Sequence, residues 1–187
     1  VEPVAAWTLA AIFVIAETTR ADRRRNPRAA RNPQPAYSPT FNLNLPTMRH
    51  EISRDLSKML FLDIETVPLH YEWGAMPDVE RRLYSEKTKF ERERTGMTEE
   101  EMHRDKGGIL SEFGKIICVG LGFLHQKDGN WHLRVTSFQG DDEYDILNQL
   151  VDLLDSDFDT DRHSLCGHNG KEFDFPWIAR RCLVHGI

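Results

Sequence analysis

The stretch Leu60-Phe61-Leu62-Asp63-Ile64-Glu65-Thr66 decides how the rest of the chain is interpreted. It predicts a short apolar strand with two carboxylates near its end. Because strand side chains alternate between two faces, Asp63 and Glu65 share one face, and Leu62 and Ile64 point into a core. Paired acids repel each other and are costly to bury, and a divalent cation is a common remedy. The plainer alternative is a solvated strand end that happens to carry two acids.

A third acid, Asp174, lies in a distinctive stretch far downstream, where residues 166–178 read CGHNGKEFDFPWI. The sequence Asp63-Ile64-Glu65-Thr66 resembles the first motif of the DEDD superfamily of 3′-5′ exonucleases, and Asn169-x-x-x-Phe173-Asp174 resembles the second. The string from Gly167 to Arg181 is similar to the predicted 3′-5′ exonuclease family related to the exonuclease domain of family B DNA polymerases. The two motifs occur in the expected order, and the resemblance covers roughly Met59 to the C-terminus.

The resemblance implies a two-metal site held by carboxylates. Asp63, Glu65 and Asp174 would be both the catalytic and the metal-binding residues, with Asp63 bridging two Mg²⁺ or Mn²⁺ ions about 4 Å apart. His168 is expected to be a structural histidine of the turn. The candidate substrate-binding residues are Thr66, Asn169 and Phe173.

Each substrate-binding candidate has a structural alternative. Thr66 would contact the 3′ end, or its hydroxyl makes a hydrogen bond at the strand end. Asn169 would touch the terminal nucleotide, or it shapes the loop. Phe173 precedes the acid on a helix, so we expect it to pack below the site rather than to stack on a base.

The function that the resemblance implies is hydrolysis of phosphodiester bonds at the 3′ end of single-stranded DNA or RNA. A non-catalytic nucleic-acid-binding module on the same fold is the main alternative, because a fold does not determine a function. A metal-dependent hydrolase of another phosphate ester is a weaker one. The three acids at the motif positions favour the enzyme, since a binding module would not need them.

Charge also favours an enzyme that engages few nucleotides. The chain has 187 residues and a formal net charge of −6. Residues 1–47 carry six Arg against three acids, so residues 48–187 carry −9. An acidic body is unsuited to a long electrostatic footprint on nucleic acid. The three cysteines form no CxxC pair, which indicates reduced thiols and a cytoplasmic protein.

The N-terminal 47 residues are interpreted as a disordered or extraneous extension, and residues 48–187 as the domain. The apolar run at 4–16 is short for a membrane span, which needs about 20 residues, so no stable membrane association is expected. Residues 18–47 are rich in Arg, Pro, Asn and Ala without periodicity. We expect residues 1–47 to be dispensable for folding.

The remaining pattern predicts an α/β fold: a ribonuclease H-like mixed sheet flanked by helices, as the resemblance implies. Further strands are expected at 116–123, 131–136 and 164–168, with a turn at 127–130 and helices at 78–93, after Thr98, after Asp141 or Asp142, and at 172–185. The family's third motif, a Tyr and an Asp separated by three residues or a His in the sister group, has no match after Asp174. We therefore expect the domain to be truncated before its last strand and helix, and the truncated chain to have little activity.

Overall fold

A computed structural model describes residues 55–187 and, as backbone alone, a strand at 40–43. Short 3-10 turns lie at Leu56–Lys58 and Trp73–Ala75. In chain order the helices and strands are β1 Thr40–Leu43, β2 Met59–Pro68, α1 Asp78–Thr95, α2 Glu99–Lys106, β3 Gly114–Lys127, β4 Asn130–Gln139, α3 Glu143–Asp157, β5 Ser164–Cys166 and α4 Asp174–His185. The protein is thus an α/β fold.

The strands form one mixed sheet in the order β1-β4-β3-β2-β5. Strands β2, β3 and β4 make the predicted antiparallel meander, with β2 at its inner edge. Strand β5 returns after α3 and pairs in parallel with β2, from Met59 opposite Ser164 to Phe61 opposite Cys166. This arrangement places the end of β5, and the chain that follows it, beside the acids of β2.

Local sequence explains how several elements begin and turn. Between β3 and β4, Asp128 and Gly129 both have positive φ, at 53° and 77°, as a two-residue hairpin turn requires. The Asp142 side chain accepts from the Tyr144 amide and caps α3. Thr98 forms the predicted capping box of α2 with Glu101.

The main core confirms the predicted alternation along β2. Leu62 and Ile64 are buried, and they pack with residues of β3, α3 and α4. The interior face of α3 contributes Ile146, Leu147 and Leu150, and α4 contributes Trp177. The sheet is thus covered by α3 and α4 on the face opposite Asp63 and Glu65.

Residues 69–113 form a helical excursion between β2 and β3, and it has a small core of its own. Met76, Tyr84, Met102 and Phe113 are buried together there. Two contacts tie the excursion to the sheet and to α4: the Thr66 hydroxyl donates to the Gly108 carbonyl at 2.6 Å, and the Trp177 indole donates to Ile109 O at 2.8 Å. The excursion is therefore held at the end of β2.

A buried ion pair joins the beginnings of α3 and β3 to α4. The guanidinium of Arg181 donates to both carboxylate oxygens of Glu143, at 2.6 to 3.0 Å, and to the Ser111 carbonyl. Glu143 also accepts from the Ile116 amide at 2.6 Å, and its Oε2 lies 2.8 Å from a ring nitrogen of His185. A buried charge is tolerated when it is paired and hydrogen-bonded in this way.

Several boundaries differ from the sequence prediction. β3 and β4 are longer, because each is paired along most of its length. β5 ends at Cys166 and α4 begins only at Asp174, because residues 167–173 form the connecting turns. Residues 40–43 of the predicted extension pair with β4, and its other residues lie outside the described part. No helix in the described part is long and apolar enough to cross a membrane.

Candidate functional site

Asp174 reaches β2 just beyond the point where β5 ends. Its Oδ1 accepts from the backbone amide of Ile64 at 3.2 Å, across 110 residues of sequence. Asp174 is the first residue of α4 and only 2% exposed, and Trp177 one turn later anchors this helix in the core. The carboxylate therefore lies beside β2 at the residue between Asp63 and Glu65.

The environment of Asp63 disfavours its ionised form. Burial first, and then the negative charges of Asp174 and Glu65, raise the pKa of Asp63 to about 6. Burial also raises the pKa of Asp174, although amide donors, including that of Ile64, oppose the rise. The residue opposite Asp63 on β3 is Gly120, so no β3 side chain covers this carboxyl directly.

Glu65 lies on the same strand face as Asp63 but is exposed. A β-bulge follows it, between Glu65 and Thr66, and shifts the pairing with β3. The negative charge of Glu65 nevertheless contributes to the raised pKa of Asp63. The structure thus gathers the three predicted acids into one electrostatic cluster at the inner edge of the meander.

His168 also belongs to this electrostatic cluster, an interaction that its expected structural role did not include. Its imidazole opposes the rise in pKa of both Asp63 and Asp174. The parallel register that ends with Phe61 opposite Cys166 would, if continued, bring His168 alongside Asp63. This register could have identified His168 as a neighbour of Asp63. It depends on the pairing of β2 with β5, which could not be predicted from the sequence alone.

The loop between β5 and α4 is tightly built. A Cβ on Gly167 would lie 3.0 Å from the Leu62 carbonyl oxygen, so any side chain here would crowd the backbone of β2. A Cβ on Gly170 would lie 2.8 Å from the Phe175 ring. Asn169 has a φ of +56°, and its carbonyl accepts from the amides of Glu172 and Phe173. Asn169 is exposed, so both of its proposed roles stay open.

The other two candidate residues have structural contacts. The Thr66 hydroxyl donates a hydrogen bond to the Gly108 carbonyl. This is the strand-end hydrogen bond that was named above as the structural alternative for Thr66. Phe173 packs against the main core, with its ring centroid 6.4 Å from that of Trp177. Both contacts help to position β2 and α4 around the acids.

The chemistry of the donors fits a hard divalent cation. Carboxylate oxygens are the ligands that Mg²⁺ prefers, and clustered acids with raised pKa values gain from a nearby positive charge. Across residues 55–187, however, no three His, Cys, Asp or Glu side chains stand in a ready-made metal-binding group. The Asp174 carboxylate is held by the Ile64 amide, whereas the side chains of Asp63 and Glu65 make no hydrogen bond or ion pair within the described residues.

Comparison with known proteins found no matching family model, no matching curated protein and no matching solved structure.

Proposed function

We propose that this chain is a metal-dependent 3′-5′ exonuclease domain that acts on single-stranded DNA, with RNA as the second substrate. The observation that carries the proposal is the hydrogen bond from Ile64 N–H to Asp174 Oδ1. It brings an acid from the second motif-like stretch to the strand that bears Asp63 and Glu65. Acids that the sequence keeps far apart have a simple reason to converge if they share a cation.

The fold is compatible with this proposal. A three-stranded antiparallel meander is followed by a helix, a strand parallel to the first, and a second helix. That order is the one expected for a ribonuclease H-like fold. Asp63 and Glu65 lie on the face of β2 opposite α3 and α4, where a nucleic-acid end could approach them, and Asp174 meets β2 from the beginning of α4.

In this proposal Asp63, Glu65 and Asp174 hold the cations. Two bound Mg²⁺ or Mn²⁺ ions would supply activation of the attacking water and stabilisation of charge on the phosphate and the leaving oxygen. Asp63 lies on β2 and Asp174 in the first turn of α4, and Glu65 would turn toward them by side-chain rotation. His168 and Asn169, both exposed on the β5–α4 loop, would meet the sugar and phosphate of the terminal nucleotide.

The test is a cleavage assay on the full product of the gene, with 5′-labelled and 3′-labelled single-stranded oligonucleotides in Mg²⁺ or in chelator. We expect stepwise shortening from the 3′ end that requires the cation. Asp63→Asn and Asp174→Asn should each lower the rate by about a hundredfold or more, because each removes a charge that holds the cation. Asp152→Asn, an exposed acid on α3, is the matched control and should leave the rate unchanged.

Two results would contradict the proposal. Cleavage that persists in chelator would exclude a carboxylate-held cation. Binding of the oligonucleotide with no cleavage under any divalent cation would favour the non-catalytic binding module instead. Mn²⁺ binding followed by electron paramagnetic resonance gives a second readout, and it should be weakened by Asp63→Asn and not by Asp152→Asn.

A further inference from the structure

A pocket of about 520 Å³ opens beside α1, away from the cluster of acids. Its walls include Trp73 before the helix, Arg82, Ser85 and Lys89 on the helix, and Glu99 at the beginning of α2. The volume falls within the range of about 300–1,000 Å³ that is usual for small-molecule sites. The positions 82, 85 and 89 recur at helical spacing, so their side chains share one face of α1.

The floor of this pocket is a fixed network around Arg92. Its guanidinium donates to the Ser85 carbonyl at 2.8 Å and to the Thr88 hydroxyl at 3.2 Å, and it lies 3.6 Å from the Glu99 carboxylate. The Ser85 hydroxyl in turn contacts Glu99. Arg92 is therefore neutralised and holds α1 against α2.

Two cations of the pocket remain available to a ligand. Arg82 is exposed and makes no hydrogen bond or ion pair within residues 55–187. Lys89 has one loose contact, at 4.0 Å from Glu93, in which both side chains are mostly exposed. Arg81 also lines the pocket but is paired with Asp78. The residues that line the pocket include four cations and two acids, Glu86 and Glu99, so the lining itself carries a formal charge of +2.

The aromatic wall is held in place by the core of the excursion. The Trp73 ring packs against Tyr84 and His103, with centroid distances of 5.7 Å in each case, while the residue remains partly exposed at the pocket. Phe90, 82% exposed, lies on the adjoining stripe of α1. Cations beside aromatic faces suit the phosphates and bases of single-stranded nucleic acid.

The rest of the described chain makes this pocket unusual. Residues 55–187 contain 16 Lys and Arg against 26 Asp and Glu. A polyanion is therefore repelled by most of the surface, and it can bind where the cations of a local patch outnumber the acids. The excursion that carries the pocket is tied to the end of β2, the strand that bears Asp63 and Glu65.

We infer that the pocket formed by Trp73, Arg82 and Lys89 binds a nucleotide unit of single-stranded nucleic acid, with phosphate on the two cations and a base against the indole. The inference rests on the proposed function for its ligand class, because the strand would be the part of the substrate that leads away from the 3′ end. The pocket would hold the strand and would take no part in cleavage.

The test is binding of a fluorescein-labelled oligo(dT) 12-mer to the 187-residue chain, by anisotropy in chelator, so that no cleavage is involved. Arg82→Glu with Lys89→Glu should weaken binding about tenfold or more and lower the salt-dependence slope by about 2. Lys127→Glu with Arg162→Glu is the matched control, because it makes the same change in net charge outside the excursion, on the β3–β4 turn and on the loop before β5. It should change the affinity by less than about twofold.

An equal loss in both double variants would overturn the inference, since general electrostatics would then explain binding. No binding by the unaltered chain would overturn it as well. Thymidine monophosphate should compete better than inorganic phosphate; equal competition would refute the base contact. Binding should quench tryptophan fluorescence, and Trp73→Phe should abolish that quenching while retaining the fold.

The proposed function can fail separately from this inference. If the pocket binds but no cation-dependent cleavage is found, the exonuclease proposal fails alone. If cleavage is found and both double variants bind like the unaltered chain, the pocket inference fails alone.

Discussion

Asp63 is the residue near the candidate site whose charge is most at odds with its surroundings. Its folded pKa of about 6 exceeds its ordinary value of 3.8, so its ionisation destabilises the fold progressively as pH rises through that range. In chelator at pH 7.5, Asp63→Asn should therefore raise the free energy of unfolding by about 1 kcal/mol, after allowance for partial solvent screening. Urea denaturation measures this change, and the gain should shrink at pH 4, where the carboxyl is protonated in the folded state and only about half ionised in the unfolded chain.

Asp152→Asn serves as the control for this prediction, because that acid is exposed on α3. Its free energy of unfolding should change by less than about 0.5 kcal/mol. A loss of stability in Asp63→Asn would mean that the carboxylate makes a favourable interaction outside the contacts described above.

Glu143 presents the opposite case, a buried acid whose partners favour its charge. Burial raises its pKa, but the hydrogen bonds from Arg181, Ile116 and His185 outweigh burial and lower it. The stability that Glu143 contributes is present above its unfolded pKa and is lost as pH falls through the folded pKa. Glu143→Gln leaves Arg181 buried without its counter-charge and should cost about 3 kcal/mol at pH 7.

The pH profile tests the origin of that cost. The difference in stability between Glu143→Gln and the unaltered chain should narrow as pH falls below the ordinary glutamate pKa of 4.5 and through the lowered folded pKa, because protonation then makes Glu143 neutral as well. Glu172→Gln, on an exposed acid, should be nearly neutral throughout. If the difference in the free energy of unfolding does not depend on pH, the loss of stability comes from packing and not from charge.

At the scale of the element, α2 depends on its capping box because it has only eight residues. Isolated helices of that length are not stable in water, so its ends and its packing must hold it. The Thr98 hydroxyl accepts from the Glu101 amide, and the Glu101 carboxylate accepts from the Thr98 amide at 2.8 Å.

Thr98→Ala should lower the free energy of unfolding by about 1 kcal/mol and speed amide hydrogen exchange in α2. Thr95→Ala, at the end of α1, should leave α2 exchange unchanged.

At the scale of the whole molecule, the pairing of β1 with β4 bears on how much of the chain the domain needs for folding. Thr40–Leu43 pairs with residues 131–134 of β4, so a chain that begins at Met48 leaves the β4 edge unpaired. We expect a chain of residues 48–187 to unfold cooperatively but to associate more readily than one of residues 38–187, because open sheet edges recruit other strands. Analytical ultracentrifugation and thermal melting of the two chains measure this difference. Equal association and equal melting of the two chains would show that residues 40–43 are dispensable, as predicted for residues 1–47.

Much of the local structure could be predicted from the sequence because its causes are local. The alternation in β2, the capping box at Thr98 and the apolar face of α3 each follow from neighbouring residues. The strand boundaries were less predictable, because β3 and β4 are extended by pairing with each other and β3 also by pairing with β2. The two stretches that carry Asp63, Glu65 and Asp174 were identified from sequence, but nothing local states that they meet.

Sequence by itself determined the polarity pattern: an acid-bearing strand and a second acid-bearing stretch at the beginning of a helix. Only the tertiary structure decided that Asp174 bonds Ile64, that His168 acts on both acids, and that Arg181 neutralises Glu143. The physical reason is range. Hydrogen bonding and side-chain alternation act between neighbours in the chain, whereas burial and Coulomb interactions depend on distances in space that exist only once the sheet and its helices have packed.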